Sequence, residues 1–162
     1  MSKIDARVVQ GIVARKGFHI CVGIPAALMV VGLMLRSQFE FLSSPISSEE
    51  NLVTLGYSLL AICPLILVVA FILKRRLVGS QALKARINSR PGDFADILSE
   101  AMAPIFLIVT APALVGLIFY FLGGDLDTYV LISVFCPAGL MLCRPREDDI
   151  ERLDRELFGS EE

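Results

Sequence analysis

The 162-residue chain has no tryptophan and a single histidine, His19. One imidazole leaves too little material for haem ligation or a histidine-built metal hydrolase. The four cysteines, Cys21, Cys63, Cys136 and Cys143, are widely spaced and form no Cys-x-x-Cys pair. Neither a zinc knuckle nor a disulfide scaffold is indicated. There is no Walker or dinucleotide-type glycine loop, no Gly-x-Ser-x-Gly elbow and no His-Glu-x-x-His pair. A net charge of -2 excludes a bulk electrostatic partnership with nucleic acid. Without a catalytic cluster or a ligand set, the expectation is a non-enzyme with no cofactor.

Charge is scarce as well. Hydrophobic residues make up 55% and charged residues 20% of the chain, with mean hydropathy +0.69. A soluble domain sits near 45–50% apolar and about 25% charged. A helix crossing a bilayer needs about 17–25 apolar residues, and four runs qualify: 17–35, 52–73, 101–122 and 126–143. The first three contain no Asp, Glu, Lys or Arg, and Asp127 touches only the edge of the fourth. The expected fold is therefore an all-α integral membrane protein with four transmembrane helices arranged as two hairpins. Residues 17–143 form the membrane domain, including a 74–100 connection. Residues 1–16 form an interfacial amphipathic helix, and 144–162 an acidic amphipathic tail.

Basic residues set the orientation. Lys3, Arg7, Arg15 and Lys16 precede the first span, six bases lie in 74–100, and Arg144, Arg146, Arg152 and Arg155 follow the fourth. Only Arg36 lies on the other side. Both termini, and the 74–100 connection, are thus expected in the cytoplasm, with a bacterial inner membrane as the setting. The first apolar run exceeds the 7–15 residues of a signal-peptide core and lacks a clear cleavage site, so it is expected to be retained.

A weak internal repeat accompanies this plan. Gly23-Ile24-Pro25-Ala26-Ala27 resembles Thr110-Ala111-Pro112-Ala113, and Cys63-Pro64 matches Cys136-Pro137. Two hairpins of equal orientation are one explanation and chance is the other. Gly23-x-x-x-Ala27 and Gly139-x-x-x-Cys143 are candidate helix contacts.

Outside the spans, Ile4, Val8, Val9, Ile12 and Val13 make an apolar stripe expected to lie on the membrane surface. A break at Arg90-Pro91-Gly92 precedes Asp93, which reads as an N-cap and starts the third helix before the membrane. Residues 147–158 read as a soluble helix, with Ile150, Leu153 and Leu157 on one face and Gly159 as its cap. Asp148–Arg152 and Glu151–Arg155 are spaced as i,i+4 pairs. Eight acids against four arginines give 144–162 a net charge of -4. Its stripe is expected to dock on protein, either a partner subunit or this chain's own 74–100 segment.

Within the spans, prolines are the unusual feature: Pro25, Pro64, Pro104, Pro112 and Pro137. Each frees the carbonyl four residues earlier and kinks its helix. Kinked helices could surround a polar cavity or pore lined by Ser58, Thr110 and Ser133, or be bent merely to pack. The Cys-Pro pairs are similar to the motif of metal-transporting ATPases, which has cysteine on both sides of the proline. Leu65 and Ala138 stand in the second position here, leaving Cys63 and Cys136 as weak metal candidates. His19, two residues into the first span, reads as interfacial.

No motif set of a known family is present. The expectation is a non-catalytic membrane subunit or assembly scaffold whose partners are the lipid bilayer and other subunits or a second copy. The alternative is a small channel or transporter formed by oligomerisation.

Overall fold

A computed structural model describes residues 5–38, 48–89 and 92–158. Among these, all regular structure is helical: α1 (Ala6–Phe18), a π-helical turn (His19–Gly23), α2 (Ile24–Gln38), α3 (Glu49–Leu77), α4 (Ser80–Ser89), α5 (Phe94–Phe121), α6 (Leu126–Cys143) and α7 (Glu147–Phe158). Four stretches are long and apolar enough to cross a membrane: Ala6–Gln38, Glu50–Leu77, Phe94–Phe121 and Leu126–Cys143. They cover the four expected spans except for Leu122, the cap of the third, and the chain reads as a multi-pass membrane protein. Ile4, Arg90, Pro91 and Gly159 lie outside the described residues.

Aspartates open three of the helices. Asp5 accepts the N–H of Arg7 at 3.1 Å and of Val8 at 3.4 Å, satisfying donors left orphaned in the first turn of α1. Asp125 accepts the N–H of Thr128 at 2.6 Å and starts α6. Asp93 occupies the expected cap of α5, but its side chain makes no capping bond. Its carbonyl accepts the first bonds of the helix, from Asp96 and Ile97. The tight turn before α6 is possible because Gly123 takes φ 106°, a region that costs a side chain dearly.

Prolines act differently from one helix to the next. Helices α3, α5 and α6 run through Pro64, Pro104, Pro112 and Pro137. Pro25 instead stands two residues after the π turn, at whose end Ile24 N–H reaches the carbonyl of His19. Pro25 cannot donate to Cys21, and one extra residue in the turn before it relieves the crowding. The Cys63 thiol donates to Leu59 at 3.2 Å and the Thr110 hydroxyl to Leu107 at 2.7 Å. Each bond falls one residue before the carbonyl that the neighbouring proline frees.

Helix α5 is the centre of the bundle. Half of its span is buried, against 17% for Ala6–Gln38 and 22% for Glu50–Leu77. Helices α2, α3 and α6 all pack on it. The α6 contact is close because Gly139 and Gly116 face larger neighbours: a Cβ at Gly139 would stand 2.6 Å from Val109 and 2.7 Å from Leu67. Gly139 is thus a packing contact as expected. Gly23 is not, since nothing lies within 4 Å of a Cβ built there. The tight pairing of α5 with α6 has no counterpart between α2 and α3, which rest on α5 instead.

At the end of the bundle that carries the basic residues, α1, α4, α7 and the first turns of α5 share one core. Val9, Val13, Leu83, Leu98, Ile150 and Leu153 are all buried in it. The expected surface helix over 1–16 is therefore not a separate element. From Ala6 onward it is continuous with the first span, and Val9 and Val13 face protein. Within the stripe, Val9 and Val13 are buried on protein and Ile12 partly so, while Val8 stays exposed.

Candidate functional site

The expected polar cavity residues are not brought to one lining. Ser58 lies exposed on α3 and donates to Thr54 one turn back, at 2.8 Å. Thr110 is buried in α5 and bonds within its own helix. Ser133 lies on α6, where its hydroxyl and that of Tyr129 are buried without hydrogen-bond partners. Cys63 and Cys136 are both buried. Among the described residues, no group of three or more His, Cys, Asp or Glu side chains is placed to hold a metal ion. Cys21, in the π turn, points its thiol at the Phe106 carbonyl at 3.8 Å. His19 is exposed and meets the Phe18 ring edge-on.

Polar organisation is concentrated at the basic end. Of the three tail residues expected to dock, Ile150 and Leu153 are buried and Leu157 packs against the same core. The occupant of that stripe is this chain itself, through α1 and α4. Arg7 pairs with Glu147 at 3.5 Å, Lys74 with Asp149 at 3.7 Å, and Gln10 donates to the Pro145 carbonyl at 3.1 Å. Lys16 reaches Asp96 at 3.2 Å, joining the first span to α5. Within α7 the intrahelical pairing shifts from that expected. Arg152 meets Glu156 at 3.5 Å, and Arg155 donates to the Glu151 carbonyl at 3.4 Å.

Three of the cavities among the described residues open there. One, of about 290 Å³, lies between Lys16, His19, Ser99 and Phe106 and is almost wholly apolar. A second, between α1 and α7, is lined by Asp5, Arg7, Glu147, Glu151, Asp154 and Arg155. The third, of about 550 Å³, sits where the ends of α3 and α6 meet α7. Its wall carries Lys74, Arg75, Arg146 and Arg152 against one carboxylate, Asp149. Sequence reasoning missed this grouping, although both basic runs, Lys74-Arg75-Arg76 and Arg144-Pro145-Arg146, directly follow apolar spans.

At the opposite end, Arg36 and Asp125 hold the α5–α6 turn. Arg36 donates to the carbonyls of Tyr120 and Gly124. Slight desolvation of the exposed Asp125 carboxyl disfavours its charge, but the N–H and hydroxyl of Thr128 outweigh this and hold the group below the ordinary aspartate range.

No protein-family model, no curated protein and no solved structure matches the chain.

Proposed function

We propose that the chain is a non-catalytic multi-pass membrane subunit or assembly scaffold of a larger membrane complex. In this reading its basic end and both termini face the cytoplasm, and the bacterial inner membrane is its setting. The positive-inside rule supports that orientation, because fourteen of the fifteen Lys and Arg residues fall on one side. The observation that carries the function is the compact head formed by α1, α4, α7 and the start of α5. Val9, Val13, Leu83, Leu98, Ile150 and Leu153 turn inward, and the charged residues Asp148, Glu151 and Arg155 face outward. A compact charged head, on a bundle where the described residues gather no metal-ligating cluster, is suited to presenting contacts to other subunits.

The test is charge reversal on the outer face of the head, Asp148→Lys with Glu151→Lys. Both side chains are exposed, so insertion and folding are expected to persist while stoichiometric companion chains are lost on purification. An unchanged complex composition counts against the head as the contact surface. The buried hydroxyls of Tyr129 and Ser133, one turn apart on α6 and without a partner on another helix, favour a second reading, a small channel or transporter, in which water or a second copy satisfies them.

A further inference from the structure

The cavity at the junction of α3, α6 and α7 has two chemically distinct walls. The outer wall is cationic: Arg75, Arg146 and Arg152 surround it together with Lys74. Lys74 is already engaged, donating to the Arg144 carbonyl at 3.2 Å and pairing with Asp149. The Arg75 guanidinium sits over the Phe71 ring, 4.8 Å from its centroid, and so stands at the cavity wall. Among the described residues, the guanidinium groups of Arg75 and Arg146 make no ion pair with a carboxylate, although the Arg146 backbone N–H donates to Asp149 at 3.3 Å. The inner wall is apolar, formed by Phe71 on α3 and Leu142 on α6. Both of these side chains are exposed on the outside of the bundle, as is Val68, one turn before Phe71 on the same face of α3.

We propose that this cavity binds one anionic phospholipid. Its phosphodiester would lie between Arg75, Arg146 and Arg152, with an acyl chain descending over Phe71 and Leu142. Lys74 is paired with Asp149 and Arg152 with Glu156 at 3.5 Å, so the four cations keep a net charge of about +2 before any anion enters, and guanidinium groups suit phosphate oxygens in paired geometry. A volume of about 550 Å³ accommodates a small headgroup. The apolar wall distinguishes a lipid from a soluble phosphate compound, because the cavity continues onto a surface that faces hydrocarbon. Basic pockets between helices at the cytoplasmic side commonly take such headgroups. The inference needs only that the helices cross a membrane, so it stands or falls separately from the subunit reading.

The experiment uses the purified full chain in neutral detergent, with bound lipid counted by native mass spectrometry during titration. Phosphatidylglycerol, phosphatidylcholine and soluble glycerol phosphate are the three probes. One phosphatidylglycerol per chain is expected, held more tightly than phosphatidylcholine, with glycerol phosphate unable to displace it. Each cation removed should weaken binding about fivefold, so the pair Arg75→Gln and Arg146→Gln loses about twentyfold or more. Arg152→Gln alone, on an exposed helix face, should lose about fivefold, and serves if the double variant does not fold. Arg76→Gln removes a charge from the same end outside the cavity and should leave affinity unchanged. Equal affinity for the two lipids, or wild-type affinity in the cavity variants, overturns the proposal. Displacement by glycerol phosphate also overturns it and assigns the site to a soluble phosphate compound.

Discussion

Arg36 grips the end of α5 through Tyr120: its guanidinium lies over the Tyr120 ring, 4.3 Å from the centroid, and donates to that residue's carbonyl at 3.0 Å. The same nitrogen reaches the Gly124 carbonyl at 2.7 Å, and Tyr120 in turn stacks on Tyr129 of α6 at 5.7 Å. One cation at the end of α2 thus ties three helices together. Arg36→Gln should cost about 2 kcal/mol, from charged hydrogen bonds and ring contact together. Arg36→Lys should recover only part, because an ammonium cannot lie flat on the ring while reaching both carbonyls. Denaturant unfolding in detergent checks both, and a loss under about 0.5 kcal/mol would show the clamp to be incidental.

Close approach at Gly139 makes the opposite prediction from Gly11. Gly139→Ala places a methyl group against Val109 and Leu67 and should destabilise by about 1–3 kcal/mol. Gly11 has nothing within 4 Å of a Cβ, so Gly11→Ala should stabilise α1 by up to about 1 kcal/mol. Thermal unfolding of the two variants under one condition measures the contrast.

The tail helix belongs to the fold of its own chain. Ile150→Ala and Leu153→Ala each remove a buried side chain and should cost about 2–5 kcal/mol, with faster proteolysis of the head. Truncation at residue 146 should expose Val9, Val13 and Leu83 and promote aggregation. Wild-type protease resistance in Ile150→Ala would mean that α7 does not pack on the head.

Acid should weaken the α5–α6 turn through Asp125. Its folded pKa is depressed, so its stabilisation is fully present above the unfolded aspartate value. That contribution is lost as pH falls through the still lower folded value. Asp125→Asn keeps a good cap and should flatten the acid limb of the stability profile, whereas Asp125→Ala should cost about 1 kcal/mol at neutral pH. An unchanged acid limb in Asp125→Asn would place the dependence elsewhere.

A dry bundle is also testable directly. In a background where the four native cysteines are replaced by alanine, Ser58→Cys, Thr110→Cys and Ser133→Cys should all resist a small water-soluble thiol reagent. Ser58→Cys alone should react with a membrane-partitioning reagent, because Ser58 faces outward on α3. Rapid water-phase labelling at Thr110 or Ser133 would favour the channel reading.

Much of the secondary structure is legible in the chain itself. Uncharged apolar runs locate the spans, Asp93 marks the start of α5, and the Ile150, Leu153, Leu157 spacing marks α7. Three features are not so plain. Helix α4 has only Leu83 and Ile87 at helical spacing, in a segment dominated by polar residues, and its burial comes from α5 and α7. The continuity of 6–38 is obscured because Arg15 and Lys16 resemble the flank of a span, yet Lys16 is held by Asp96 of α5. The partner of an amphipathic stripe is the hardest to read. Val9 and Val13 suggest lipid and Ile150 suggests another subunit, yet they meet one another's neighbours in a single core. Periodicity reports that a face is apolar and leaves open what covers it.

The subunit reading is tested most directly by gentle detergent extraction at native expression level, determining particle mass and the stoichiometry of every chain present. The account predicts a particle well above the 17.7 kDa of one chain, containing other proteins in fixed ratio that survive dilution. A particle made only of this chain, as monomer or homo-oligomer, would contradict it and leave the channel or transporter reading in its place.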